Sequence, residues 1–287
     1  MDQETRQRAI FLYDRFTHEG MERRAFMAEM VKLAGSVAAA ELLIAGIAAS
    51  PAAAAIVAPD DKRLTTRTQT LSGGYKAYVA EPRTRSLKAT VLVIHENRGL
   101  NDHIRDIARR LAVAGYRAVA PDMLSPTGGT PADADAARDA IGKLDLSKSV
   151  ADAVAMVGEL RKSSRGGKVG AVGFCWGGGF VNSLAVAAGD TLDAAVPYYG
   201  PAPDPSEAVK VQAPILIHDA GLDTRVNATS FPWVNALRAA GKTVKFFLYD
   251  GVNHAFNNDT SAERYNKPAA DLAWKRTVAF FRRYLGA

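Results

Sequence analysis

A single cysteine, Cys175, is the whole thiol content of this 287-residue chain. An intrachain disulfide is therefore excluded, and no local cluster of cysteine and histidine has zinc-site spacing. Basic residues outnumber acidic ones by 36 to 30, yet no basic stripe with interleaved aromatics is present, so nucleic-acid binding is not expected. The scattered excess suits at most anionic substrates or surfaces. Charged residues break every apolar run below the length that spans a bilayer, so no stable membrane anchor is expected. No internal repeat is evident. What remains, 48% hydrophobic and 23% charged, is an ordinary globular composition for one or two domains.

The first 55 residues differ from the rest. They hold six Lys/Arg against seven Asp/Glu, which leaves 30 against 23 for the remainder. Arg23-Arg24, then Phe26, an Ala-rich apolar stretch and small residues at Ala52–Ala55 resemble a twin-arginine export signal. That reading predicts a periplasmic protein. Glu41 interrupts the stretch, and residues 1–20 have amphipathic spacing at Ile10, Leu12, Tyr13 and Phe16. The alternative is a cytoplasmic protein with a retained pair of helices that turn at Gly20. We divide the chain into a leader, residues 1–56, and a body, residues 57–287.

The body opens with a hairpin pattern, Leu64–Leu71 and Tyr75–Ala80 around Ser72-Gly73-Gly74. Apolar runs follow at Ala89–His95, Tyr116–Ala120, Val169–Gly173, Leu192–Tyr199, Pro214–His218 and Val244–Tyr249. Helical patterns alternate with them at Ile104–Ala114, Ser147–Lys162, Gly178–Ala188, Phe231–Ala240 and Ala262–Tyr284. Ser125–Ala136, rich in Pro, Gly and Asp, reads as a loop. Such alternation predicts an α/β fold: a mainly parallel sheet, helices on both faces, and ligands at the strands' carboxyl ends.

Cys175 stands in Gly173-Phe174-Cys175-Trp176-Gly177, between a strand and a helix. A glycine-flanked turn of this kind holds a nucleophile on a strained elbow. In chain order an acid and then a histidine should follow. Of the five histidines, His254 is the one placed on a loop beyond a late strand. Asp219 and Asp223 both follow the strand near Ile217. Asp223, farther out on its loop, is the better geometric choice for orienting an imidazole. Glu96 ends the first buried strand, and beside a thiol it would raise the thiol's pKa.

These residues resemble the dienelactone hydrolases (carboxymethylenebutenolidases), a branch of the α/β-hydrolase fold. The matching segments are His95-Glu96-Asn97-Arg98-Gly99, Ala120-Pro121-Asp122, Gly173–Gly178, Tyr198-Tyr199-Gly200, Gly221-Leu222-Asp223 and His254-Ala255-Phe256, in the family's order. The resemblance implies Cys175 as nucleophile, Asp223 as acid and His254 as base. It implies the backbone N–H groups of Trp176 and Asn97 as oxyanion hole, and Glu96 as the residue on the resting thiol. A small ester or lactone would be the substrate, with no metal and no organic cofactor, in a monomer or small homo-oligomer. The family's two carboxylate-binding arginines have no counterpart near Ser125-Pro126 or Asn257-Asn258. Arg98, Arg225 and Tyr199 are the candidates to contact substrate instead. The competing class is a hydrolase-like body whose thiol senses oxidants or binds a ligand, without catalysis.

Overall fold

The structure, a computed structural model, describes residues 2–48, 55–83, 89–163 and 167–286. Ala52–Ala54, within the expected cleavage region, lie outside the described residues.

Three helices open the chain: α1 (Gln3–His18), α2 (Arg23–Ala34) and α3 (Val37–Ile47). Asp2 caps α1 by accepting from the Thr5 N–H at 2.7 Å, and Gly20 turns the chain out of it at φ 70°. The amphipathic spacing closes a small core of its own. Ile10, Tyr13 and Phe16 of α1 pack with Phe26 and Met30 of α2 and Leu43 and Ile47 of α3. Where the alternative reading of the sequence allows two helices, the structure has a second break at Gly35, φ 84°, and a third helix. No single helix among the described residues is long and apolar enough to cross a membrane. The α2–α3 pair passes by length and composition together, but it is bent by 106°.

The body is an eight-stranded sheet: β1 (Leu64–Thr70), β2 (Lys76–Pro82), β3 (Ala89–Ile94), β4 (Arg117–Pro121), β5 (Lys168–Phe174), β6 (Ala194–Tyr198), β7 (Ile215–Ala220) and β8 (Val244–Tyr249). Their order is β1-β2-β4-β3-β5-β6-β7-β8, with β2 antiparallel to both neighbours and the rest parallel. Strand β3 is buried at every position, as a central parallel strand covered on both faces must be. On one face lie α4 (Asp102–Val113) and α9 (Lys267–Leu285); on the other lie α6 (Leu146–Ser163), α7 (Trp176–Ala187) and α8 (Thr224–Ala239). The mainly parallel sheet with helices on both faces, expected from the alternation, is present.

Three boundaries differ most from the sequence reading, and the first is α9, which begins at Lys267, after its cap Asn266 and five residues beyond the expected Ala262. Helix α8 begins at Thr224, two turns before the expected Phe231. Pro232, which reads as a first-turn proline, sits mid-helix, and Asp223 is the actual N-cap. A short helix, α5 (Ala134–Ile141), starts inside the expected loop, because the Asp133 side chain accepts from the Ala136 N–H at 2.7 Å.

Candidate active site

Strand β5 ends at Phe174 and α7 begins at Trp176, so Cys175 makes the turn alone. Its φ of 56° and ψ of −118° form a backbone conformation that costs a residue with a Cβ on the order of 1–3 kcal/mol. The flanking glycines answer to crowding. A Cβ on Gly173 would stand 2.0 Å from the Gly177 carbonyl oxygen, and one on Gly177 would stand 2.4 Å from that of His95. Helix α7 can therefore start directly against the ends of β3 and β5. The turn carries the thiol at the carboxyl edge of the sheet, where parallel strands collect functional groups.

His254 comes from the loop after β8. Its Nδ1 lies 2.5 Å from Asp223 Oδ2, while Asp223 Oδ1 accepts from the Val226 N–H at 3.1 Å. One carboxylate thus caps α8 and orients the imidazole. Of the two acids left open by the sequence, Asp223 makes this bond; Asp219 lies within β7, and burial pushes its carboxyl up to about 7.

A second imidazole, absent from the sequence reading, also meets the thiol. His18, the last residue of α1, places Nε2 3.2 Å from Cys175 Sγ. Its Nδ1 sits 2.9 Å from the Asp14 carbonyl oxygen, which can only accept. It also lies 2.9 Å from Thr17 Oγ1, so Nδ1 is engaged on the helix and Nε2 faces the sulfur. Burial opposes ionisation of the thiol, yet the His18 and His254 imidazoles outweigh it and hold Cys175 well below the usual thiol range. Burial likewise opposes a charged His254, but Asp223 and the thiolate raise that imidazole to about 10. Both shifts favour the ion pair of thiolate and imidazolium.

This corrects the expectation for Glu96. Its Oε2 accepts from Asn258 Nδ2 at 2.6 Å, its Oε1 has no partner, and the group at the sulfur is His18. Where the sequence reading sets Glu96 at the thiol, the structure sets two imidazoles there, and they lower its pKa.

His95 touches both the Glu96–Asn97 peptide and the Trp176 ring. That ring stacks on Trp176 at 5.5 Å, accepts from the Met123 N–H at Nε2 (3.1 Å), and donates through Nδ1 to the Glu96 carbonyl (2.7 Å). Tyr199 is buried beside His254, ring centroids 5.1 Å apart, with φ 37° and its hydroxyl unpartnered. Arg98 lines the site but is engaged, by Asp135 at 2.8 Å and the Tyr13 hydroxyl at 3.0 Å. Arg225 does not line it; against the upward push of burial, it joins His254 in keeping Asp223 low.

The space left at the thiol is about 30 Å³, lined by residues that include Tyr13, His18, Glu96, Cys175, His254 and Arg264. It holds about one water. A larger cavity of about 700 Å³ lies between the leader helices and the body and contains none of Cys175, His254 and Asp223.

Residues 75–285 match the model of the dienelactone hydrolase family. The chain belongs to that family. Two relatives named "putative carboxymethylenebutenolidase", from Saccharolobus solfataricus and Escherichia coli K12, are each 34% identical to it. They align over 245 and 260 residues, which is 72% and 83% of this chain and 93% and 94% of theirs. A "putative dienelactone hydrolase" of Klebsiella pneumoniae superposes with a TM-score of 0.70 at 29% identity, covering 77% of this chain and 99% of its own. The dienelactone hydrolase of Anabaena variabilis, at 20% identity and a TM-score of 0.62, shares the fold. The protein is an ester or lactone hydrolase acting on a small molecule.

The family match begins after the leader, so His18 comes from outside it. Arg264 also escaped the sequence reading, ten residues beyond His254. It is buried, with Nε 2.9 Å from Ser261 Oγ and 3.1 Å from the Ile47 carbonyl. Its signal was an arginine after His-x-Phe, displaced farther along the chain than the family pattern suggests. For His18 no local signal exists.

Proposed function

We propose that the protein hydrolyses its ester or lactone through Cys175, with His254 as proton carrier and Asp223 as orienting acid. The observation that carries this is the strained turn at Cys175, which meets an imidazole held by a buried carboxylate. The thiolate attacks the carbonyl carbon, a C–S bond forms, and the carbonyl electron pair moves onto oxygen. The N–H groups of Asn97 and Trp176 are the donors for that oxyanion; one such donor is worth about 2.7–4 kcal/mol of barrier. Collapse breaks the C–O bond, and the leaving oxygen takes the proton from His254. Water then loses a proton to His254 and attacks the thioester, which releases the carboxylic acid and the thiolate.

Two guanidiniums, Arg98 and Arg264, line the cavity and are the candidates for a substrate carboxylate. Both are already paired, Arg98 with Asp135 and Arg264 with Asp14 at 3.3 Å. Asp14 lies on α1, so Arg264 becomes free for a substrate carboxylate only when that helix moves away.

The test is hydrolysis of 4-nitrophenyl acetate and a panel of lactones. Cys175→Ala and His254→Ala are expected to lose about 10³-fold or more in kcat/KM, and iodoacetamide should abolish turnover in the unmodified protein. Near-normal turnover by Cys175→Ala on every active substrate would falsify the nucleophile assignment. Alkylation of a protein that hydrolyses nothing on the panel would favour the thiol-sensor reading.

A further inference from the structure

Three soft or borderline ligand groups converge where the sequence has no metal motif. The ligand atoms offered by His18, Cys175 and His254 all lie within 4.8 Å of one another. Both imidazoles have Nδ1 engaged by an oxygen, the Asp14 carbonyl for His18 and the Asp223 carboxylate for His254. That is how metal-bound histidines are usually held, with the second nitrogen turned to the ion. His254 Nε2 is buried and has no hydrogen-bond partner. His18 Nε2 stands 3.2 Å from Cys175 Sγ. Two ligands of a tetrahedral zinc ion, with Zn–N about 2.0 Å and Zn–S about 2.3 Å, stand roughly 3.5 Å apart.

We propose that His18, Cys175 and His254 form a three-ligand site for a zinc-like divalent cation, assembled between the leader and the body. One thiolate and two imidazoles are a donor set that suits zinc over calcium or magnesium. The fourth position falls in the 30 Å³ cavity, which is wide enough for a water and which Glu96, with its free Oε1, also lines. Arg98 and Arg264 line that cavity too, but each is neutralised by an aspartate, Asp135 and Asp14. A bound ion would release the proton of His254 Nε2 to solvent and take that nitrogen and the sulfur lone pair together. On the hydrolytic reading above, on which this consequence rests, the ion silences the enzyme and fastens α1 over its nucleophile.

The experiment uses the full chain, stripped with a chelator and titrated with Co²⁺ and then Zn²⁺. One equivalent of Co²⁺ should produce a thiolate-to-cobalt charge-transfer band and tetrahedral d–d bands, both lost on adding Zn²⁺. Cys175→Ala should abolish the charge-transfer band, and His18→Gln should weaken Zn²⁺ binding at least about tenfold. Hydrolysis by the unmodified chain should fall with near-stoichiometric Zn²⁺ and return with chelator. In His18→Gln, referred to its own metal-free rate, the Zn²⁺ concentration for half inhibition should rise by a similar factor. His18 lies at the end of a surface helix, so this variant should fold even if His254→Gln does not. Absence of a stoichiometric cobalt band, or a band and Zn²⁺ affinity indifferent to His18→Gln, overturns the site. So does native protein whose N-terminus begins after residue 18, because the ligand would then be missing. If the band forms as described while Cys175→Ala hydrolyses normally, the metal site stands and the hydrolytic reading falls.

Discussion

At the scale of single residues, the charge on Cys175 is the quantity that decides the chemistry. Two imidazoles oppose the cost of burial, so alkylation by iodoacetamide should keep its rate well below the pH at which an ordinary thiol ionises. Removing one imidazole by His18→Gln should move the midpoint of the rate–pH profile upward; an unmoved midpoint would mean that His254 alone sets the thiol. On the alkaline side, kcat/KM should fall as pH passes about 10 and His254 loses the proton it gives to the leaving group. Asp223→Asn should cost on the order of 10²-fold or more, because the amide cannot stabilise the imidazolium. Asp219 offers a stability test. Its carboxyl titrates near 7 when folded, against a reference of 3.8. Between those values the folded state keeps a proton that the unfolded state has lost, so stability drops as pH rises from about 4 to 7. Asp219→Asn should remove up to about 3 kcal/mol of that drop between pH 5 and pH 8, read from urea midpoints at the two values. Equal pH slopes for both proteins would refute the assignment.

At the scale of elements, the β5–α7 turn depends on backbone contact more than on side chains. A Cβ at Gly177 would meet the Ile94 and His95 carbonyl oxygens at 2.5 Å and 2.4 Å, and backbone cannot step aside. Gly177→Ala should therefore lower stability by about 3 kcal/mol or more, above the usual overpacking range, with loss of activity. An unchanged urea midpoint would show that the strand end and helix start are less closely packed. Most element positions were legible from periodicity: β3 from its unbroken apolar run, and α4 from Asn101, which accepts from the Ile104 N–H at 3.1 Å. The start of α8 was not. Its cap, Asp223, lies eight residues before the expected Phe231, and the same side chain bonds His254 across the chain.

At the scale of the whole molecule, the leader closes the site it was not expected to touch. Helix α1 is held to the body by Arg6 on Glu263 at 3.0 Å, Gln7 on Asn253 at 2.5 Å, and Asp14 on Arg264 at 3.3 Å. The backbone of α3 adds three further bonds: the Ile47 carbonyl accepts from Ser261 Oγ at 2.6 Å and Arg264 Nε at 3.1 Å, and the Gly46 carbonyl from the Glu263 N–H at 3.1 Å. With α1 in place, about 30 Å³ remains at the thiol, too little for any ester. Substrate entry therefore requires α1 to withdraw. Arg6→Gln combined with Gln7→Ala should raise both kcat/KM for 4-nitrophenyl acetate and the rate of alkylation several-fold. Rates unchanged in that double variant would mean that substrate reaches the thiol by another route.

Chain order and local pattern determined the alternating α/β architecture, the cysteine on its turn, the late histidine and the pair of aspartates from which the acid came. Those features are written in short windows, as apolar periodicity, glycine spacing and motif order. The tertiary structure alone decided which aspartate bonds His254, where Glu96 spends its charge, and that His18 reaches Cys175 across 157 positions of chain. Such choices rest on distances between segments remote in sequence. A change of a few ångströms there reverses the sign of a pKa shift without altering any local pattern.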